Sequence, residues 1–371
     1  MVTVLGPRQS GKTTLVRMVC PGKPYFSLED PDTRMAAETD PRSFLNHVPD
    51  GAVLDEIQRM PMLLSYIQGI VDERRKSGMF ILTGSHQPDV HQAVSQTLAG
   101  RTAVLILLPF TMTEIEHYSR TWTTYKRIVT GSFPRVHQEN LTPARFYNGY
   151  IQTYVERDVR SLINIKDLGL FQRFLTLLAG RVGQVINYTS LGNDIGLSGT
   201  TVKSWLSVLK ASFVVFEVQP FFENINKRVI KSPKVYFSDT GLVCHLLGIE
   251  TADQAFRDPL RGALYENLII LEILKSRMNR GRRPELFFFR DTHGNEVDLI
   301  IRRRRHLIPV EIKSAATFSK SFLKGINLFR QLNKNTAPNG YVLYDGENAF
   351  ELTEVRIQNV FIHGLPESLR E

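Results

Sequence analysis

An apolar run at residues 2–5 passes directly into Gly6-Pro7-Arg8-Gln9-Ser10-Gly11-Lys12-Thr13, and a helical stretch at 14–19 follows. Few folds accept that order. Strand, glycine loop and helix N-terminus are the context that a phosphate-binding loop requires. The glycines let the backbone turn tightly and aim N–H groups at phosphate oxygens, and the helix N-terminus adds partial positive charge. Lys12 is expected to reach the β- and γ-phosphates and the Thr13 hydroxyl to bind magnesium. Gly6, Pro7, Arg8, Gln9, Ser10, Gly11 and Thr14 complete the expected ATP cradle. The expected cofactors are therefore ATP and Mg2+, held on a parallel α/β sheet.

A second element agrees. Gly51-Ala52-Val53-Leu54-Asp55-Glu56 reads as an apolar strand ending in two carboxylates. Burying two acids is expensive unless a cation balances them. Asp55 is expected to hold the magnesium, directly or through water, and Glu56 to polarise the attacking water. A third strand, 79–85, ends in small polar residues, so Thr83 or Ser85 could sense the γ-phosphate; the alternative is that they are turn residues. Residues 90–98 read as a helix closed by Ala99-Gly100, and Arg101 precedes a fourth apolar strand at 102–107. An arginine there suits insertion into a neighbouring copy's site, because its charge is permanent and its donors form a planar fork. The alternative is a helix C-terminal charge. Glu56, Arg101 and Ser85 are the candidate catalytic residues.

At 371 residues the chain calls for two or three domains. Its apolar runs, such as 102–110, are strand-sized and far short of the ~18 residues of a membrane span. With no basic stretch ahead of the first strand, no signal peptide is expected. Cys20 and Cys244 stand far apart, which argues against a disulfide scaffold or zinc site and for a reducing cytoplasm. A formal charge of +9 points to a polyanionic partner, DNA first, with ordinary surface basicity as the alternative.

Several runs carry a resemblance. They are 6–15, Ser27-Leu28-Glu29-Asp30-Pro31, Leu54-Asp55-Glu56-Ile57-Gln58, Leu82-Thr83-Gly84-Ser85 and Leu98-Ala99-Gly100-Arg101. Further on come Pro109-Phe110-Thr111-Met112-Thr113-Glu114, Gly131-Ser132-Phe133-Pro134-Arg135 and Tyr154-Val155-Glu156-Arg157-Asp158-Val159. With these, nearly the whole chain resembles a large group of prokaryotic AAA-type ATPases, in which a P-loop domain is fused to a C-terminal half of unknown function. The resemblance implies an AAA-like ATPase module, a winged-helix segment and a C-terminal nuclease-like domain.

The middle of the chain reads as helix–turn–helix: 188–195, a turn at Gly196-Leu197-Ser198, and 200–210. Thr189 or Ser190 is expected to start the first helix and Ser198 to cap the second. Val202, Trp205, Leu206 and Leu209 recur at helical spacing and should face the core; Thr200, Thr201, Lys203, Ser204 and Ser207 occupy the other face. Two β-runs, 213–218 and 234–237, have Lys227, Arg228, Lys231 and Lys234 in or beside their connecting hairpin, which gives a winged helix with a basic wing. Lys203, Lys227, Arg228 and Lys231 are the candidate DNA contacts, of a non-specific backbone kind; protein docking or a purely structural role is the alternative.

Toward the C-terminus a helix beginning at 263 precedes β-runs at 285–290, 296–302 and 307–313. Glu266 on the helix, Asp298 on the second strand and Glu311-Ile312-Lys313 on the third resemble the PD-(D/E)XK nuclease core. Asp298, Glu311 and Glu266 are expected to converge on a divalent cation, with Lys313 on the face of Glu311 and Glu296 as a spare ligand. The alternative is a retained fold without cleavage, held by lysine–carboxylate pairs. The basic run 302–305 at a hairpin tip could grip phosphates or be a solvated turn.

The expected architecture is thus a parallel-sheet P-loop AAA-like core (1–120), a helical lid (121–185), a winged helix (186–240) and an α/β restriction-endonuclease-like domain (241–371). The expected function is an ATPase that moves or remodels DNA, including branched DNA. It would work as a homo-oligomeric ring or chain of copies, a hexamer being one such form, with no membrane partner. The alternatives are an ATP-state signalling switch and an ATP-regulated, metal-dependent nuclease of genome defence.

Overall fold

Strands β1 (Val2–Gly6), β2 (Tyr25–Ser27), β3 (Val53–Asp55), β4 (Ile81–Ser85) and β5 (Ala103–Ile106) form one sheet in the order β2-β3-β4-β1-β5. Every pairing in it is parallel. Short, continuously apolar runs suit this sheet because parallel strands are covered on both faces. One face packs on Leu54, Leu63, Ile67, Phe80 and Leu82, the other on Val4, Val16, Val53 and Ile81. β5 is an edge strand, with Val104 and Leu105 each 44% exposed. The structure is a computed structural model and describes all residues except 86–97, 99, 120, 140, 156–166, 222–231 and 334. The helix expected at 90–98 lies almost wholly outside the described residues.

The chain divides into two units, Met1–Pro109 with Ala211–Phe213, and Phe110–Lys210 with Val214–Glu371. The second is built on β6 (Val215–Pro220), β7 (Lys234–Phe237), β8 (Leu286–Arg290), β9 (Glu296–Arg303), β10 (His306–Lys313), β11 (Gly340–Tyr344), β12 (Phe350–Leu352) and β13 (Val355–Gln358). Their order is β12-β13-β11-β10-β9-β8-β6-β7. β6 departs from the expected local wing. Its first residues pair antiparallel with β7, but Gln219 and Pro220 pair in parallel with Phe287 and Phe288 of β8. The strands read as a wing are thereby part of the same sheet as β8, β9 and β10.

The stretch read as a lid also lies in this second unit. Helices Thr124–Thr130 and Pro143–Tyr150 pack against helix Thr240–Leu246. The buried Asp239 carboxylate fixes that packing. It accepts hydrogen bonds from the Ser132 N–H at 2.7 Å, the Ser132 hydroxyl at 2.9 Å, the Tyr147 hydroxyl at 2.5 Å and the Leu242 N–H at 2.9 Å. Gly131 has φ 73, and a Cβ there would stand 1.9 Å from the Tyr147 hydroxyl, so no side chain fits at that crossing. The run Gly131-Ser132 owes its composition to this contact. Among the described residues no helix is long and apolar enough to cross a membrane.

Candidate functional site

β1, β3 and β4 end side by side, so the loop after β1 and the acids after β3 open on the C-terminal edge of the sheet, where ligands bind in parallel α/β folds. The loop turns through Gln9 at φ 61 and Gly11 at φ 91 into helix α1 (Lys12–Val19). Lys12 is buried, and its ammonium donates to the carbonyls of Pro7 at 2.8 Å and Gly6 at 3.2 Å. Ser10 Oγ is buried with no hydrogen-bond partner, an orphan that a phosphate oxygen would satisfy. Thr14 stands exposed on the first turn of α1.

Asp55 meets this loop from β3. The Thr13 hydroxyl donates to Asp55 Oδ2 at 2.9 Å. The Tyr25 hydroxyl donates to the same oxygen at 2.6 Å, and Thr83 Oγ1 donates to Oδ1. These hard oxygens, a P-loop hydroxyl and a strand-end carboxylate, fit a magnesium ion, which would supply positive charge to the β- and γ-phosphates. Glu56 follows in the left-handed region at φ 60, a conformation that non-glycine residues keep only when the surroundings impose it. Burial pushes its carboxyl above the ordinary value, and Lys12 acts in the opposite sense. Gln58 links Glu56 to β4: its amide donates to Glu56 Oε2 and, at 2.9 Å, to Ser85 Oγ. Thr83 therefore touches the expected metal ligand, whereas Ser85 reaches the acid only through Gln58. Tyr25 and Gln58 have no role that the sequence alone suggests, because Tyr25 meets Asp55 on another strand and Gln58 joins Glu56 to Ser85 of β4. Arg101 forms a surface ion pair with Asp72 at 2.5 Å and would have to leave it to act elsewhere.

Residues 121–253 match a model described as Domain of unknown function (DUF8612), 261–363 one described as Domain of unknown function (DUF4143), and 1–116 one described as AAA domain. The uncharacterized protein Rv2008c of Mycobacterium tuberculosis is 31% identical over 367 residues, covering 95% of this chain and 78% of its own length. The uncharacterized protein Mb2031c of Mycobacterium bovis gives the same figures. The chain belongs to their family. A more distant relative, an uncharacterized protein of Haemophilus influenzae, is 23% identical over 279 residues, covering 70% of this chain and 64% of its own. The AAA domain contains every residue of the nucleotide cradle, and AAA domains are ATP-binding ATPase modules.

In the second unit, helices α2 (Tyr188–Ile195) and α3 (Gly199–Ala211) form the helix–turn–helix. Asn187, rather than Thr189 or Ser190, caps α2 by accepting from the Ser190 N–H at 3.0 Å; it precedes the first helical residue, where a cap must stand. Ser198 caps α3 through the Thr201 N–H at 3.1 Å. Val202, Trp205, Leu206 and Leu209 are buried and Lys203 is exposed. Lys227, Arg228 and Lys231 lie outside the described residues.

The nuclease-like acids carry their own cations. Glu266, on helix α4 (Arg261–Asn279), pairs with Lys234 at 2.9 Å and accepts from the Tyr236 hydroxyl at 2.5 Å. Lys234 is almost wholly buried and also pairs with Glu296 at 2.5 Å, so the expected spare ligand is taken. Burial alone would lower the pKa of Lys234, but Tyr236, Glu266, Asp298 and Glu296 around it hold it well above the ordinary value. Asp298 accepts from the Ile312 N–H at 2.8 Å and from Lys313 at 3.0 Å, and Lys313 pairs with Glu311 at 2.7 Å. Glu266 and Glu311 each lie close enough to Asp298 for its charge to act on them, and Lys234 and Lys313 stand among the three. Among the described residues no group of three or more His, Cys, Asp or Glu could hold a metal ion.

Proposed function

We propose that the chain is an ATPase that works on DNA. Its P-loop residues 6–14 bind ATP with Mg2+ on Thr13 and Asp55, Glu56 orients water, and the second unit holds nucleic acid without cutting it. The observation that carries the ATPase part is the 2.9 Å contact between the Thr13 hydroxyl and Asp55, with Glu56 next in the chain. What supports a holding rather than a cleaving role is that Lys234 and Lys313 already pair with Glu266 and Asp298, acids that a nuclease would give to metal. The residues act by position. The loop N–H groups and Lys12 bind phosphate charge, while Gln58 keeps the Glu56 carboxylate oriented.

The test measures ATP turnover with and without duplex and branched DNA, alongside a cleavage assay in manganese. Stimulated turnover with intact DNA is the expected result. Turnover indifferent to DNA that does not bind would end the nucleic-acid reading and leave the ATPase standing. Assembly is part of the same reading, with Arg101 reaching a neighbouring copy's γ-phosphate. Mixing Arg101→Ala with Lys12→Ala chains should then recover activity above the sum of the two, and a mixture that never exceeds that sum removes the role.

A further inference from the structure

The second unit has a basic face that neither the helix–turn–helix nor the acidic set uses. Two arginine-rich turns, 280–285 and 302–306, lie about twenty residues apart in sequence and side by side in the sheet. β8 and β9 pair with Leu286 opposite Ile301, and the Arg302 N–H donates to the Glu285 carbonyl at 3.1 Å. Arg280, Arg282, Arg283, Arg304 and Arg305 are exposed, and Arg302 and Arg303 half-buried.

The turns are held, not loose. Beneath the first, the buried Arg277 directs Nε and an Nη to the Arg283 carbonyl, each at 3.4 Å, while its own carbonyl accepts from the Arg282 N–H at 3.0 Å. Its other Nη is buried with no hydrogen-bond partner, and Arg282 and Arg303 are close enough to act on its charge. The second turn is a two-residue hairpin tip, Arg304-Arg305, between the paired Arg303 and His306. Beside it opens a cavity of about 370 Å3 whose lining includes Arg303, Arg304, His306, Asn339 and Tyr341.

Among the described residues two of these seven arginines form ion pairs, Arg280 with Glu367 at 3.8 Å and Arg303 with Glu371, while Glu285 acts on the charge of Arg277 beneath them. A surplus of planar, permanently charged forks on a rigid face matches the spaced oxygens of a phosphodiester backbone. We infer that the face made by turns 280–285 and 302–306 is the phosphate-backbone surface for duplex DNA. This rests on the proposed nucleic-acid function and moves its main contact away from Lys203.

The test compares the full chain with the variant Arg282→Gln, Arg283→Gln, Arg304→Gln, Arg305→Gln. Binding of a labelled random-sequence duplex is followed by anisotropy at several salt concentrations. We expect affinity to fall at least about tenfold for every sequence, and the log–log salt slope to flatten by about one unit for each phosphate no longer neutralised. Arg282→Lys with Arg304→Lys, which keep the charge, should retain most of the slope. DNA-free ATP turnover and the denaturant midpoint of the second unit should not change, and the unchanged midpoint shows that the variant is folded. A variant that binds as the parent does, with the same slope, overturns the assignment. So does a Lys203→Gln chain that alone abolishes binding, or a parent that binds anionic vesicles but not duplex. A parent that binds no DNA at all overturns the nucleic-acid function itself.

Discussion

The place of Asp55 at a strand end marks it in the sequence as a candidate metal ligand, and the structure surrounds it with three hydroxyls, from Thr13, Tyr25 and Thr83, of which the sequence offers no sign of Tyr25. Tyr25 escapes notice there because its contact crosses strands about thirty residues apart in the chain, and Thr83, expected near the γ-phosphate, instead donates to the carboxylate across a similar separation. The division of labour at this site predicts two different defects. Lys12→Ala should lose nucleotide affinity, whereas Glu56→Gln should keep ATP bound and hydrolyse it on the order of a hundredfold more slowly. Equilibrium binding of a fluorescent nucleotide together with single-turnover hydrolysis separates them, and unchanged turnover in both would refute the assignment. In the second unit, burial first and Asp298 next push the Glu311 carboxyl up to about 8, against Lys313. Between its ordinary 4.5 and about 8 the folded chain keeps a proton that the unfolded chain has released. This group's contribution to stability is therefore lost as pH rises through that window. Glu311→Gln should show a shallower fall in Tm from pH 6 to pH 9 than the parent. Equal slopes would mean that Glu311 is ionised throughout.

At the scale of elements, the P-loop strand and helix, the fourth strand, α3 and the three C-terminal strands are all legible in the sequence, because each announces itself by local period or by flanking turn residues. The run 131–135 is visible as a motif but has no meaning until Asp239 is placed against it. A buried carboxylate that accepts four hydrogen bonds holds helices Thr124–Thr130, Pro143–Tyr150 and Thr240–Leu246 in one arrangement. Asp239→Ala would leave two backbone N–H groups and two hydroxyls without their acceptor. The expected loss is roughly 3–5 kcal/mol, seen as a lower denaturant midpoint for the second unit. Tyr147→Phe removes a single donor and should cost about 1 kcal/mol. If the two variants prove equally stable, the carboxylate is not the clasp.

At the scale of the whole molecule, β6 is the part that local sequence signals do not place. A hairpin partner nearby in the chain is easy to foresee, but the parallel pairing of Gln219 and Pro220 with Phe287 and Phe288 is not, since about seventy residues intervene. The two segments of unknown function, 121–253 and 261–363, consequently contribute strands to a single sheet. A chain ending near residue 256 would leave the β6 edge bare, and bare apolar edges recruit other chains. Such a truncation should be insoluble or rapidly proteolysed, while the same residues inside the full chain resist digestion; a soluble, protease-resistant fragment would contradict this. The border between the two matched segments is then a convention of comparison and not a seam in the protein. Neither half can be exchanged between relatives without its counterpart, and substitutions along β6 and β8 should be inherited in pairs, so that recombination within such a gene succeeds only outside this span.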